Sequence, residues 1–176
     1  MMRIGIVGHR FFSRPDAAAF VTQQCLTILR QAQAAYADVT ALSAIAEGAD
    51  SLFAEAALSL NIPLEIVLPF EEYAADFTGT MATACYARLR RAACKETQLA
   101  YISRSEEAYV AAMHWVVAHS DVLIAAWDGG PGRGRGGTAD AVRQAVLSGR
   151  DWIHLNVDDL STTFHVRQPS RYVFER

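Results

Sequence analysis

The densest chemical signal in the chain is a run of glycines and arginines, Gly129-Gly130-Pro131-Gly132-Arg133-Gly134-Arg135-Gly136-Gly137-Thr138. Six of the 11 glycines fall within its first nine residues. The run follows an apolar stretch of strand character and precedes a helical pattern. Glycine lets a backbone turn tightly and brings its N–H groups up to an anion, and the helix that follows adds a favourable partial charge. Arg133 and Arg135 carry forked donors that suit a phosphate, and Thr138 can cap the helix or bond a phosphate oxygen. This context predicts phosphate binding over Gly132 to Thr138, with Gly136 and Gly137 at the approach; a surface loop with solvated arginines is the alternative. It is not a P-loop, because no Gly-Lys-Ser/Thr occurs. No Gly-x-Gly-x-x-Gly follows the first apolar run, so the sequence does not predict ordinary dinucleotide binding.

Two further turns have related chemistry. Ser43-Ala44-Ile45-Ala46-Glu47-Gly48-Ala49-Asp50 also reads as a strand end, a glycine turn and a helix start. Glu47 sits where a carboxylate can meet a ribose hydroxyl; Gly48, Ala49 and Asp50 complete the turn, with Asp50 read first as a helix cap. Gly8-His9-Arg10 follows the first apolar run, and His9 is either an acid/base and anion contact or a hydrogen-bonded structural residue. Trp127-Asp128 ends the strand before the glycine run and is expected to border the same pocket. Tyr73 and Phe77 are candidates to stack on a base, with core packing as the even alternative. His114 and His119 are five apart and do not share a helix face, and no Cys/His/Asp cluster has metal spacing, so no metal is expected. No Gly-x-Ser-x-Gly elbow is present either.

These turns need a frame. Short apolar runs at Ile4 to Val7, Val39 to Ile45, Leu64 to Leu68, Asp121 to Ala126 and Trp152 to Leu155 alternate with helical patterns. That alternation predicts an α/β fold, a doubly wound, mostly parallel Rossmann-like sheet with helices on both faces. The helices are expected to begin near Ser13 to Asp16 and at Ala49, Met81, Glu106 and Thr138, with Gly149 ending the last. Phe70 to Thr80 reads as a long loop or broken helix, and Gln98 to Ile102 as a short strand. In an open parallel sheet the three glycine turns share the carboxyl edge of the strands, where ligands bind.

Composition sets the outer limits. At 176 residues, 52% hydrophobic and 20% charged, the chain is long and apolar enough to fold as one domain. Residues 1–155 are expected to form the Rossmann-like domain, with residues 156–176 a tail packed on it and short strands near Phe164 and Tyr172. The net charge of -3 gives no bulk case for nucleic acid or membrane. Cys25, Cys85 and Cys94 are odd in number and widely spaced, which suits reduced thiols in a cytoplasmic protein. Glu106 to Ala118 is apolar almost all round, including Met113 and Trp115, and predicts a two-fold homodimer unless the tail covers it.

Taken in order, Gly8-His9-Arg10, Ala46-Glu47-Gly48-Ala49-Asp50 with Phe53-Ala54-Glu55-Ala56-Ala57-Leu58, Val67-Leu68-Pro69-Phe70, Ser120-Asp121-Val122-Leu123-Ile124 and Gly136-Gly137-Thr138-Ala139-Asp140 resemble the SLOG superfamily. That Rossmann-like group includes DNA-processing protein A, the Lonely Guy phosphoribohydrolases, putative molybdenum-cofactor carriers and YpsA-like proteins. The resemblance spans about residues 3–155 and implies a nucleotide or nucleotide-derived ligand over the glycine-rich loop, without a further cofactor. Lonely Guy enzymes carry Pro-Gly-Gly-x-Gly-Thr-x-x-Glu. Here Gly137-Thr138 match the Gly-Thr step, the glutamate position falls on Ala141, and Asp140 stands one residue early. Two functions follow: a nucleotide-binding sensor or carrier, or a hydrolase of nucleoside monophosphates with Glu47 or Asp140 as its carboxylate. The acidic balance argues against single-stranded DNA as the ligand.

Overall fold

A computed structural model describes residues 1–132 and 135–166. Seven strands form one sheet: β1 (Met2–Gly8), β2 (Val39–Ser43), β3 (Leu64–Leu68), β4 (Lys95–Gln98), β5 (Val122–Trp127), β6 (Asp151–Asn156) and β7 (Ser161–His165). Their order is β4-β3-β2-β1-β5-β6-β7; every pairing is parallel except β6 with β7. Five α-helices connect them: α1 (Ala17–Ala35), α2 (Ala49–Ser59), α3 (Thr80–Ala92), α4 (Glu106–His119) and α5 (Thr138–Leu147). The chain winds outward from β1 to β4 and then returns to β5 on the other side of β1. That reversal leaves a crevice at the carboxyl ends of β1 and β5, where Gly8, the last residue of β1, lies beside Ala126 of β5.

The two-sided apolar runs produce this frame, because alternate residues of a strand point to opposite faces. Ile4 and Ile6 of β1 and Ile124 of β5 join Val21, Ile28 and Leu29 of α1 and Phe53 of α2 in one core. Val7 of β1 and Leu123, Ala125 and Trp127 of β5 join Met113, Val116 and Val117 of α4 and Ala141 and Ala145 of α5 in the other. Helices therefore cover both faces. The outer part of α4 is less apolar than its composition suggests, with His114 and His119 exposed and Trp115 stacked on His119 at 4.3 Å.

Several elements depart from the expected boundaries. The strand expected at Gln98 to Ile102 is Lys95–Gln98 instead. As the edge strand it is half-solvated and polar, so it lacks an apolar run; Leu99, Tyr101 and Ile102 lie past its end. The preceding helix stops at Ala92 rather than Lys95, since the Cys94 N–H already donates to the Leu64 carbonyl at 2.9 Å. The segment after β3 holds one 3-10 turn, Tyr73–Asp76. Tyr73 and Phe77 are buried there, and Phe77 stacks on Tyr86 at 4.3 Å, so core packing, not a base, takes that ring. Helix α1 begins without a side-chain cap: Asp16 accepts from Arg14, and Ser13 donates to Asp158. Gly149 ends α5 as expected. At φ +68° it lets its own N–H reach Val146 and the Arg150 N–H reach Ala145. The strand expected near Tyr172 lies outside the described residues. Among the described residues no helix is long and apolar enough to cross a membrane.

Candidate functional site

The turn after β1 and the turn after β2 are built as one unit. The His9 N–H donates to Ala126 at 2.9 Å, and the His9 carbonyl accepts from the Ala49 N–H at 3.1 Å. Gly48 makes this contact possible. It holds φ +84°, and a Cβ there would lie 2.3 Å from the His9 oxygen and 2.4 Å from the Arg10 oxygen. Ser43 braces the β2 turn: its hydroxyl accepts from the Ile45 N–H at 2.9 Å and donates to the Asp50 carbonyl at 3.2 Å. Ile45 itself sits at φ +49°, a strained setting for a branched residue.

Asp50 is not the cap of α2. Gly48 holds that position, and Asp50 lies in the first turn, buried. Burial pushes its carboxyl up to about 7, against backbone hydrogen bonds at Ala46 and Ala44 and the nearby Arg10 charge, which pull it down.

The glycine-rich loop is anchored at both ends. The Asp128 carboxylate accepts from the Gly130 N–H at 2.8 Å, and the Trp127 indole donates to the Gly130 carbonyl at 3.2 Å. At the far end Gly136, at φ +78°, lies against Val110 of α4. Asp140 accepts from the Gly136 N–H at 3.1 Å and from Arg143 at 2.8 Å. Gly137 is the N-cap of α5 and Thr138 its first residue. Arg133 and Gly134 lie outside the described residues.

Between these turns lies a cavity of about 700 Å³. Gly8, His9, Arg10, Asp50, Trp127, Arg135, Gly136, Gly137 and Thr138 all line it. Gly48 and Ala49 hold its wall from behind. His9 faces Asp128 across 4.0 Å. Val7, Ala112, Met113, Val116 and Trp127 form an apolar wall, and exposed Phe11 stands at the rim. The two carboxylates expected of a hydrolase do not line it. Asp140 lines a smaller cleft between α4 and α5 with His114 and Arg143. Glu47 lies near Cys85, where burial first and the Glu47 charge second raise the thiol.

Sequence reading missed a polar cluster on the same cavity. Asp76, whose side chain is only 6% exposed, accepts a hydrogen bond from the Tyr109 hydroxyl. Arg10 approaches Asp76 at 3.5 Å and Arg104 at 3.8 Å. Both guanidinium groups also lie over the Tyr109 ring, at 5.3 and 5.9 Å from its centre. Arg104 directly precedes the Ser105 cap of α4, and no local pattern marks it. Among the described residues no group of three or more His, Cys, Asp or Glu is placed to hold a metal.

No protein-family model matches the sequence, and no curated protein matches it. Solved structures do match. DNA processing protein A from Streptococcus pneumoniae aligns over 88% of this chain at TM-score 0.62 and 14% identity. A second DNA processing protein A, from Helicobacter pylori and described by its single-stranded DNA binding mode, aligns over 87% at TM-score 0.59 and 19% identity. TM1055, a structural genomics target, aligns over 92% at TM-score 0.56 and 16% identity. The chain spans 50% of the first protein's length, 64% of the second's and 81% of the third's. At these identities the likeness is one of fold, and this chain has the Rossmann-like fold of all three.

Proposed function

We propose that the cavity binds a nucleotide or nucleotide-derived ligand and that the protein acts as a sensor or carrier of it. One observation carries this reading: a single cavity of about 700 Å³ combines an apolar wall with the glycine-rich loop, the first turn of α5 and three arginines, Arg10, Arg104 and Arg135. Its volume falls within the roughly 300–1,000 Å³ of small-molecule sites. A base and ribose would lie along Val7, Met113 and Trp127, and the phosphate would take donors from Gly137 to Ala139 and from Arg135. His9 and Asp128 would face the sugar. The shape and charge of the site favour a small ligand over a DNA strand, since it is a recess in a chain of net charge -3.

Hydrolysis of a nucleoside monophosphate is the second reading, and less supports it. An oxocarbenium-like centre needs a carboxylate beside the ribose. Asp140 is instead bonded to Gly136 and Arg143, and Glu47 lies off the cavity. One residue along a helix turns a side chain by about 100°, which fits a carboxylate at 140 aimed away from where one at 141 would point. Self-association through the outer side of α4 belongs to the same proposal; light scattering that finds only monomer at high concentration removes it.

The test is a thermal-shift screen with nucleoside mono- and diphosphates and a single-stranded oligonucleotide, followed by chromatography for free base. A ligand that binds only the native state raises the melting temperature. A shift with nucleotides, no shift with the oligonucleotide and no released base support the proposal. Base release at an enzyme-like rate, abolished by Asp140→Ala or Glu47→Ala, would establish the hydrolase instead.

A further inference from the structure

Arg10 and Arg104 give the cavity a second cationic pole beside the glycine-rich loop. Both line the cavity, and both lean on one buried carboxylate, Asp76. Two positive charges share one negative charge, and Asp76 already accepts the Tyr109 hydroxyl. Neither arginine reaches it closely. Arg10 makes one long hydrogen bond to it at 3.5 Å and Arg104 approaches at 3.8 Å, both beyond the roughly 2.7–2.9 Å usual for charge-assisted hydrogen bonds. A guanidinium has five donors, so most of those on Arg10 and Arg104 remain for another acceptor. The Tyr109 ring, within 6 Å of both, holds their planes at the cavity wall.

This pole adjoins the loop pole. Arg10 and Arg104 lie over Tyr109, while Gly136 packs on Val110, the next residue of α4. Arg10, Arg104, Arg135 and the start of α5 line one cavity of about 700 Å³, so a single ligand can meet both poles. Contiguous charge suits this arrangement better than two charges at the ends of a long ligand.

We propose that the ligand is a nucleotide carrying a pyrophosphate group, with one phosphoryl on the loop and Arg135 and the other on Arg10 and Arg104. This inference rests on the nucleotide-binding reading and narrows it. Isothermal titration of the full chain and of its Arg104→Gln variant with AMP, ADP and inorganic pyrophosphate tests it. The Arg104 side chain is 68% exposed, so the variant is expected to fold. The wild type should bind ADP at least tenfold tighter than AMP and tighter than pyrophosphate. The variant should lose at least tenfold in ADP affinity and bring ADP down to the level of AMP. Equal binding of AMP and ADP by the wild type, or an ADP preference that survives Arg104→Gln, overturns the pyrophosphate inference and leaves nucleotide binding standing. Inorganic pyrophosphate binding as tightly as ADP overturns the nucleotide assignment. Binding of none of the three overturns both.

Discussion

Two glycine-bearing regions meet at the same sheet edge, and glycine serves them in opposite ways. At the ends of β1 and β2, a Cβ on Gly8 would lie 2.4 Å from the Ala49 Cβ and 2.7 Å from the Ala126 oxygen, and one on Gly48 would strike two carbonyl oxygens. There, glycine lets two turns touch, and the contact fixes where His9 and Arg10 leave the sheet. At the start of the glycine-rich loop, Gly129 meets nothing nearer than 3.4 Å, and Gly130 meets only the Asp128 side chain at 3.0 to 3.8 Å. Gly129 and Gly130 leave room beside the backbone, which is what a ligand approaching N–H groups requires, whereas Gly136 at the far end of the loop is packed against Val110. Abundance of glycine thus says little by itself; the neighbours of the missing Cβ separate a packed turn from an open one.

Single substitutions can break this contrast. Gly48→Ala should destabilise the protein by about 3 kcal/mol in urea unfolding, because it combines a left-handed backbone with a backbone clash. Gly129→Ala has the left-handed conformation but no clash, and should cost about 1 kcal/mol. Equal losses would erase the distinction between the two regions.

Asp50 sharpens the packed side further. Its native carboxyl titrates at about 7, above the ordinary 3.8, because of burial. The native state therefore keeps its proton to higher pH than the unfolded chain does, and wild-type stability falls as pH rises from about 4 to 7. Asp50→Asn lacks that slope. Relative to wild type, the variant should gain about 2 kcal/mol between pH 5 and pH 7, at roughly 1.4 kcal/mol per unit, and no more beyond pH 8. A gap that stays constant with pH would mean that Asp50 is not held neutral by burial.

On the open side the effects should appear in binding rather than folding. The Arg135 side chain is exposed. Arg135→Ala should weaken nucleotide binding roughly 10- to 100-fold, the worth of one or two charged hydrogen bonds, with an unchanged melting temperature. Asp140→Asn and Glu47→Gln should leave the affinity within twofold. Dialysis against labelled nucleotide measures all three.

Much of this architecture was legible in the residues. Ile4 to Val7 and Val122 to Ala126 read as central strands because both their faces are covered by helices. The bounds of β3 and α5 were read as they stand, since Pro69, Thr138 and Gly149 punctuate them. β4 was not legible, because an edge strand with exposed Lys95 and Glu96 needs no apolar pattern. The glycine turns could be read because their chemistry is local to the backbone. The Arg10–Asp76 approach could not, since its partners are 66 residues apart and meet only through the winding of the chain. Arg104 reaches the cavity for the same reason.

The most direct measurement is a titration of the isotope-labelled protein with ADP, followed by amide chemical shifts. The account predicts that the largest changes fall at Gly8 to Arg10 and at Gly136 to Ala139, with β7 and the outer face of α1 unmoved. Saturable changes confined to β7 or α1, or no change at millimolar ADP, would contradict it.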